Sequence, residues 1–319
     1  MIQFKAYKLE FICETTAPVS LPRFKGSTLR GSFFGALRQD FCLNRNLNTC
    51  LDCPTAGVCP ICHLVATVER DNSRGAEIPR PFALEPVMTE KTQYASGELF
   101  SFGITLFGES LNLFPYAILA VRRMGEIGLG NQKVAPGRFI LKSARVINPL
   151  TGAQKSIYTE NTRIVQVPDL AVTNRDVLIY SSGLNPSNLS LSLISPLRLV
   201  IESALVQKLT FRPFIQRLLR RLTDLSDYYC KEKLELNFPV LLKQAEEVRV
   251  TQDDTRWIDL SSYSSRRQAS TPVGGLIGNI SFAGNLKEYL PLLVWGQITH
   301  VGKDATRGNG WYRIADSSL

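Results

Sequence analysis

Histidine is scarce: the 319 residues hold two, His63 and His300. Imidazole is the side chain best suited to proton transfer near neutral pH, so that chemistry has few places to sit. No window approaches the ~20 apolar residues of a bilayer-crossing helix. The opening Met1–Phe11 stretch reads as a strand rather than a charged-then-apolar leader, and a cytoplasmic protein is expected. Also missing are a Gly-Lys-Ser/Thr phosphate loop and a glycine fingerprint opening a helix, which excludes the common nucleotide cradles.

What is present is positive charge. Lys and Arg number 37 against 28 Asp and Glu, a net +9. Such an excess favours a polyanionic partner, nucleic acid foremost. The length suits two ordinary domains, each with its own core. Seven cysteines occur, four of them as Cys50-x2-Cys53-x5-Cys59-x2-Cys62 with His63 adjacent. In a cytosolic chain this pattern reads as metal binding rather than cross-linking. Four thiolates close on one tetrahedral Zn²⁺ in a structural site. The short spacer between the knuckles leaves a [4Fe–4S] cluster as an alternative, and unmetallated or disulfide-bonded cysteines are another.

The run His300 to Ile314 crowds three glycines with Lys303, Arg307 and Arg313 between a helix-like segment and a strand-like Trp311-Tyr312-Arg313-Ile314. Glycines at this density allow positive φ and close approach of backbone N–H groups to an anion. A glycine-rich hairpin with a solvated basic rim accounts for the same residues.

Along the chain, residues 2–13 alternate as a strand with a slip near Tyr7, and Ser27 is a candidate N-cap for a helix carrying Leu29, Phe33, Leu37 and Phe41 on one face. Lys25, Arg30 and Arg38 flank that face. Strands are expected at 82–87, 98–107 and 139–146, with a helix at 113–124 begun by Pro115. Residues 150–187 are polar and turn-rich. A second set follows: strand 189–200, helix 211–230, strands near 257–260 and 275–282, helix 286–295, the glycine loop and a last strand. Both sets run strand, helix, strand, strand, helix, strand, the split βαβ order of a ferredoxin-like domain. A loose repeat, Phe114-Pro115 to Phe139 and Leu290-Pro291 to Tyr312, supports the duplication. The expected architecture is α+β, two tandem ferredoxin-like domains at 1–150 and 188–319. Residues 151–187 form the junction, and a Cys-rich insertion lies near 43–81.

Segments spread over nearly the whole chain resemble one family. They are Gly26-Ser27-Thr28-Leu29-Arg30-Gly31, the Cys50–Cys62 group, Ser195-Pro196-Leu197-Arg198-Leu199, and Arg220-Arg221-Leu222 with Leu225. Tyr263-Ser264-Ser265-Arg266-Arg267-Gln268 leading to Gly274-Gly275-Leu276-Ile277-Gly278, and His300-Val301-Gly302-Lys303 continuing to Gly308-Asn309-Gly310, complete the set. Together they resemble the CRISPR repeat-processing endoribonucleases, the sixth family of CRISPR-associated proteins in the RAMP superfamily. The resemblance implies two ferredoxin-like domains that bind CRISPR repeat RNA and cut the precursor once, with no catalytic metal. In that chemistry the 2′-hydroxyl attacks the adjacent phosphate, leaving a 2′,3′-cyclic phosphate. Relatives commonly carry a histidine on or near the first helix; residues 14–62 here contain none.

Catalytic candidates are therefore His300, Lys303 and Tyr263, with Lys25 and Arg30 as weaker substitutes and His63 incidental to the cysteines. RNA contacts are expected from Lys25, Arg30, Arg266, Arg267, Lys303, Arg307 and Arg313, with base stacking on Trp311 or Tyr312. The missing histidine motivates a second reading, a non-catalytic crRNA-binding subunit of a larger CRISPR effector complex. A zinc-ribbon DNA-binding protein is a third, weakened by the lack of an evident recognition helix.

Overall fold

Alternation at the N-terminus becomes a strand because Leu9, Phe11 and Cys13 bury completely while Lys8, Glu10 and Glu14 point the other way. In the computed structural model, which describes residues 4–47, 50, 52–66, 78–130, 137–231, 233–264 and 268–315, this strand is the centre of the first sheet. The chain divides into two units, Phe4–Val172 with Tyr228–Cys230, and Thr173–Asp227 with Lys231–Leu319.

The first unit runs β1 (Ala6–Thr15), β2 (Val19–Ser20), α1 (Gly26–Phe41), α2 (Pro60–Leu64), β3 (Phe82–Glu85), β4 (Gln93–Tyr94) and β5 (Leu99–Phe107). A 3₁₀ turn (Gly108–Leu113), α3 (Phe114–Ile127), β6 (Phe139–Ile147) and β7 (Gln154–Thr159) follow. Its antiparallel sheet has the order β3-β5-β1-β6-β7, and β2 pairs with β4. The helices α1 and α3 cover one face with Leu29, Phe33, Leu37, Ile118 and Val121. The opposite face is laid with ion pairs: Lys8–Glu85 at 2.5 Å, Lys142–Glu160 at 2.8 Å, and Arg145 with Glu10.

The second unit holds α4 (Asn174–Ser182), β8 (Asn188–Leu197), β9 (Val200–Ile201), β10 (Ala204–Leu205), α5 (Phe211–Tyr229) and α6 (Phe238–Gln244). Next come β11 (Arg249–Asp253), β12 (Arg256–Ile258), β13 (Ser261–Ser264), β14 (Ala269–Pro272) and β15 (Gly275–Ala283). Last are α7 (Leu290–Thr299), a 3₁₀ turn (Ala305–Arg307) and β16 (Tyr312–Ala315). Its sheet has the order β11-β15-β8-β16, with β12 also on β15, while β13 and β14 form a separate ribbon.

In both units the first strand of the βαββαβ set lies between the third and the fourth, all antiparallel. This is the tandem ferredoxin-like architecture expected from the sequence. Two local readings need correction. Tyr7 pairs regularly with Leu106, and the sheet irregularity sits at Ile12/Cys13, where the extra residue is Lys142 on β6. Ser27 lies inside the first turn of α1, whose N-cap is Lys25. The unit boundary, between Val172 and Thr173, lies within the expected 151–187 junction: β7 joins the first sheet, and α4, opened by a reciprocal Thr173–Asp176 capping box, belongs to the second unit. The cysteine-bearing segment lies between α1 and β3, and residues 48, 49, 51 and 67–77 of the expected insertion are outside the described residues.

Helix α5 shows how the sequence pattern decides packing. Phe214, Ile215, Leu218, Leu219, Leu222 and Leu225 are all buried, each worth roughly 1.5–3 kcal/mol. On the other side Arg220 meets Asp224 at 2.8 Å and Arg212 meets Glu246 at 2.9 Å, exposed pairs of little net value. Leu218→Ala is expected to cost about 2–5 kcal/mol in urea denaturation, whereas Arg220→Ala changes it by under about 1 kcal/mol.

Candidate functional site

The loop from α7 to β16 turns through positive φ at His300 (59°), Gly302 (85°), Asp304 (63°), Gly308 (87°) and Gly310 (70°). Two of its glycines are dictated by close approach as well as by angle. A Cβ on Gly302 would lie 2.5 Å from the Arg198 carbonyl oxygen, and one on Gly310 would lie 1.8 Å from that of Val301.

The loop's N–H groups are used inside the protein. Val301 N donates to Gly310 O, Lys303 N to Arg198 O, Arg307 N to Asp304 O, Gly308 N to Ala305 O, Asn309 N to Asp304 O, and Gly310 N to Pro196 O. Six of the N–H groups that the sequence offered as an anion cradle are therefore taken by carbonyls of the protein. Lys303 is exposed, Arg313 is exposed, and Arg307 pairs with Asp304 at 3.1 Å.

His300 is fully buried. Its Nδ1 lies 3.2 Å from Asn309 O, and its ring stacks on Trp311 at 6.0 Å with the planes 7° apart. Arg313 lies over Trp311 as well, 5.5 Å from the ring centre. Trp311 N donates to Ser195 Oγ (2.9 Å), and the backbone N–H groups of Ile194 and Ser195 donate to Trp311 O. Arg221 Nε caps the carbonyl of Thr299 at 3.1 Å, just before the loop begins. Both proposed stacking aromatics are thus committed within the protein: Trp311 lies against His300 and Arg313, and Tyr312 is buried with its hydroxyl donating to Leu293 O. Burial pushes the Tyr312 hydroxyl well above the usual tyrosine range.

The other expected residues fall as follows. Tyr263 is 66% exposed on β13, while Arg266 and Arg267 are outside the described residues. In the first unit Lys25 is fully buried, its Nζ donating to Thr89 O (2.6 Å) and Arg23 O (3.2 Å), and desolvation holds its pKa below the ordinary lysine value. Expected as an RNA contact, Lys25 is a strut. Arg30 is half-buried with its guanidinium 5.7 Å from the centre of the Phe34 ring. His300, Lys303 and Arg307 share one loop and Arg313 lies on β16, into which it leads; Tyr263 belongs to the same unit, and Lys25 and Arg30 to the other.

Residues 4–170 match the family model AF_1859_N, described as an N-terminal domain. Residues 191–312, which include the whole glycine-rich loop, match the model of the CRISPR-associated endoribonuclease Cas6. The chain belongs to the AF_1859_N family, and its residues 191–312 are similar to Cas6. The resemblance to CRISPR repeat-processing endoribonucleases is borne out. No curated protein sequence matches. Among solved structures, a partial Cas6-RT-Cas1–Cas2 complex aligns with TM-score 0.61 at 16% identity, covering 100% of this chain and 48% of that one. A Cas6 product complex aligns with TM-score 0.57 at 12% identity over 97% and 100% of the two chains. Thermus thermophilus Cas6 aligns with TM-score 0.55 at 12% identity over 98% and 99%. This chain spans about half, or less, of the length of the first structures it matches. At these identities the likeness is one of fold.

Outside the Cas6 domain lies the cysteine group. Cys62, buried in the middle of α2, makes side-chain hydrogen bonds with Cys59 and Cys50, and burial first, then those sulfurs, pushes its thiol well up. Cys53 Sγ faces Asn44 Nδ2 (3.4 Å) and Thr55 Oγ1 (3.3 Å). His63 Nε2 lies 2.9 Å from Gly57 O. Among the described residues, no group of three or more His, Cys, Asp or Glu side chains is arranged as it stands to hold a metal ion. No helix among them is long and apolar enough to cross a membrane.

Sequence reasoning passed over Ser195, Arg198 and Asn309, the residues that tie the loop down. Their signal was their place inside the Ser-Pro-Leu-Arg and Gly-Asn-Gly segments. Because Gly310 combines a positive φ with a backbone neighbour that cannot withdraw, Gly310→Ala is expected to lower the melting temperature by several degrees, read by thermal melts.

Proposed function

We propose that this protein binds CRISPR repeat RNA and cleaves the precursor once, without a catalytic metal. The match of residues 191–312 to the Cas6 endoribonuclease model, with the basic glycine-rich loop inside it, carries the reading. In the reaction the 2′-oxygen forms a bond to the adjacent phosphorus and its proton leaves to a base. The bond from phosphorus to the 5′-oxygen breaks, and that oxygen takes a proton. The products are a 2′,3′-cyclic phosphate and a 5′-hydroxyl. Lys303, exposed on the loop, is suited to stabilise the phosphorane charge, and Tyr263, exposed on its ribbon, to exchange a proton. Arg307, Arg313, Arg266, Arg267 and Arg30 are assigned to the RNA backbone.

His300 is reassigned from acid–base work to holding the loop, which its burial supports. That burial favours one alternative, a crRNA-binding subunit that holds its RNA and cuts slowly or not at all. Other CRISPR proteins are proposed as partners, since a neighbouring fold occurs in a Cas6-RT-Cas1–Cas2 complex.

The deciding measurement is single-turnover cleavage of the host repeat RNA in excess EDTA. One EDTA-resistant cut with a cyclic-phosphate end is expected. Lys303→Ala should slow it by about 10²-fold or more, and Tyr263→Phe by about 10²-fold. His300→Ala should lower the melting temperature and weaken binding without changing the shape of the pH–rate profile. Tight binding with no cut under any condition would instead support the RNA-holding subunit.

We also propose a structural Zn²⁺ at Cys50, Cys53, Cys59 and Cys62. The two Cys-x2-Cys knuckles and the hydrogen bonds of Cys62 with Cys59 and Cys50 support it, with Cys53 as the fourth ligand. Elemental analysis of purified protein should find about one zinc per chain, lost in Cys59→Ser/Cys62→Ser. Iron with sulfide would point to an iron–sulfur cluster, and absence of both would end the proposal.

A further inference from the structure

Two consecutive carbonyls at the foot of the β13–β14 ribbon are each held by a side chain from the glycine-rich platform. Asn309 Nδ2 donates to Val273 O at 2.7 Å, and Arg198 Nη1 donates to Gly274 O at 3.2 Å. Asn309 is fully buried between Gly308 and Gly310, so its amide has one direction to point. Arg198 follows the end of β8; its own carbonyl accepts Lys303 N at 2.9 Å, and its guanidinium lies 5.9 Å from the centre of the Trp257 ring. One residue thus touches the loop with its backbone and the ribbon with its side chain.

The neck between these grips is narrow. Val273 N and Gly274 N both donate to Leu260 O, at 2.8 and 3.1 Å. A Cβ on Gly274 would lie 2.2 Å from Ile258 O, so the backbone there admits only glycine. Beyond the neck the ribbon has the cross-strand pairs Ser261–Pro272, Ser262–Thr271, Tyr263–Ser270 and Ser264–Ala269 and belongs to no larger sheet. A two-stranded ribbon alone is marginally stable in water, so its direction is set where it is anchored.

We propose that Asn309 and Arg198 are positioning residues that fix the angle of the β13–β14 ribbon to the glycine-rich loop. Both elements then meet one RNA at a set spacing, and that spacing selects the phosphate that is cut. The proposal rests on the RNA-cleavage reading above. Neither residue needs to touch RNA: each acts through the neck, Arg198 on Gly274 and Asn309 on Val273.

The test compares wild type with Arg198→Ala, Arg198→Gln, Asn309→Ala and the Arg198→Ala/Asn309→Ala pair. Without RNA, amide exchange at residues 261–264 and 269–274 should accelerate about tenfold in each alanine variant, the loss expected of one hydrogen bond. The double variant should exceed either alone by less than the product of the two effects, since both act on one neck. With repeat RNA, the alanine variants should yield cuts at neighbouring phosphates as well as the native one. Arg198→Gln, which keeps a donor but no charge, should restore the single cut.

Unchanged ribbon exchange together with a single native cut in both alanine variants would overturn the proposal. Failure of glutamine to rescue Arg198→Ala would overturn it for Arg198, as a direct phosphate contact behaves that way. Should Asn309→Ala not fold, the Arg198 pair still decides. Wild-type protein that cuts no RNA would sink the cleavage reading, and the exchange data would still report whether the grips hold the ribbon.

Discussion

The second unit depends on how the chain comes back from α7 to lay β16 beside β8. Only four residues of β16 pair with that strand, so the register is set ahead of it, in the loop. Pro196 O and Arg198 O take the N–H groups of Gly310 and Lys303, and Ser195 Oγ takes that of Trp311. Meeting all three requires a run of left-handed backbone, two of whose residues, His300 and Asp304, are not glycine. Each non-glycine residue there costs on the order of 1–2 kcal/mol. At His300 the cost is offset by complete burial, by stacking on Trp311 and by the contact with Asn309 O. The histidine that the sequence offers for proton transfer is thereby committed to the fold.

That commitment changes how the positive charge should be read. A net +9 suggests a broadly basic surface, yet much of the cationic complement is neutralised locally. One face of the first sheet pairs lysine and arginine with glutamate, α5 pairs Arg220 with Asp224 and Arg212 with Glu246, and Arg307 pairs with Asp304. Lys303 and Arg313, with Arg249 and Arg256 on β11 and β12, stay exposed in the second unit. Cations without a close carboxylate are those that gain most from a phosphate, and they give binding its salt dependence.

The architecture was legible because its signals are repetitive. Four-residue spacing marked α1, the leucines of α5 marked a one-sided helix, and proline-started helices recurred in both halves. What the sequence hid is of two kinds. Short polar elements such as β7, with its Gln-Lys-Ser-Ile-Tyr-Thr pattern, and α4 bury too little apolar surface to show a period. Individual placements depend on partners far along the chain. Lys25 is buried because the carbonyls of Arg23 and Thr89 are there to receive it, and Thr89 lies 64 residues away. His300 is buried because Trp311 folds back over it. Binary patterning encodes neither.

The absence of an exposed imidazole in the described Cas6 domain separates two contributions that active sites usually combine. One positioned donor or cation facing a developing phosphorane is worth about 10²–10³ in rate, and proton transfer to and from the reacting oxygens about 10²–10⁴. In the proposed reaction, Lys303 on the loop and Tyr263 on the ribbon would supply the first and part of the second. Such a site would lose speed before it lost the ability to choose its phosphate, because choice resides in positioning and speed in proton transfer. Under that proposal, holding RNA and cutting it are two ends of one scale, and the neck joining ribbon to loop would serve both.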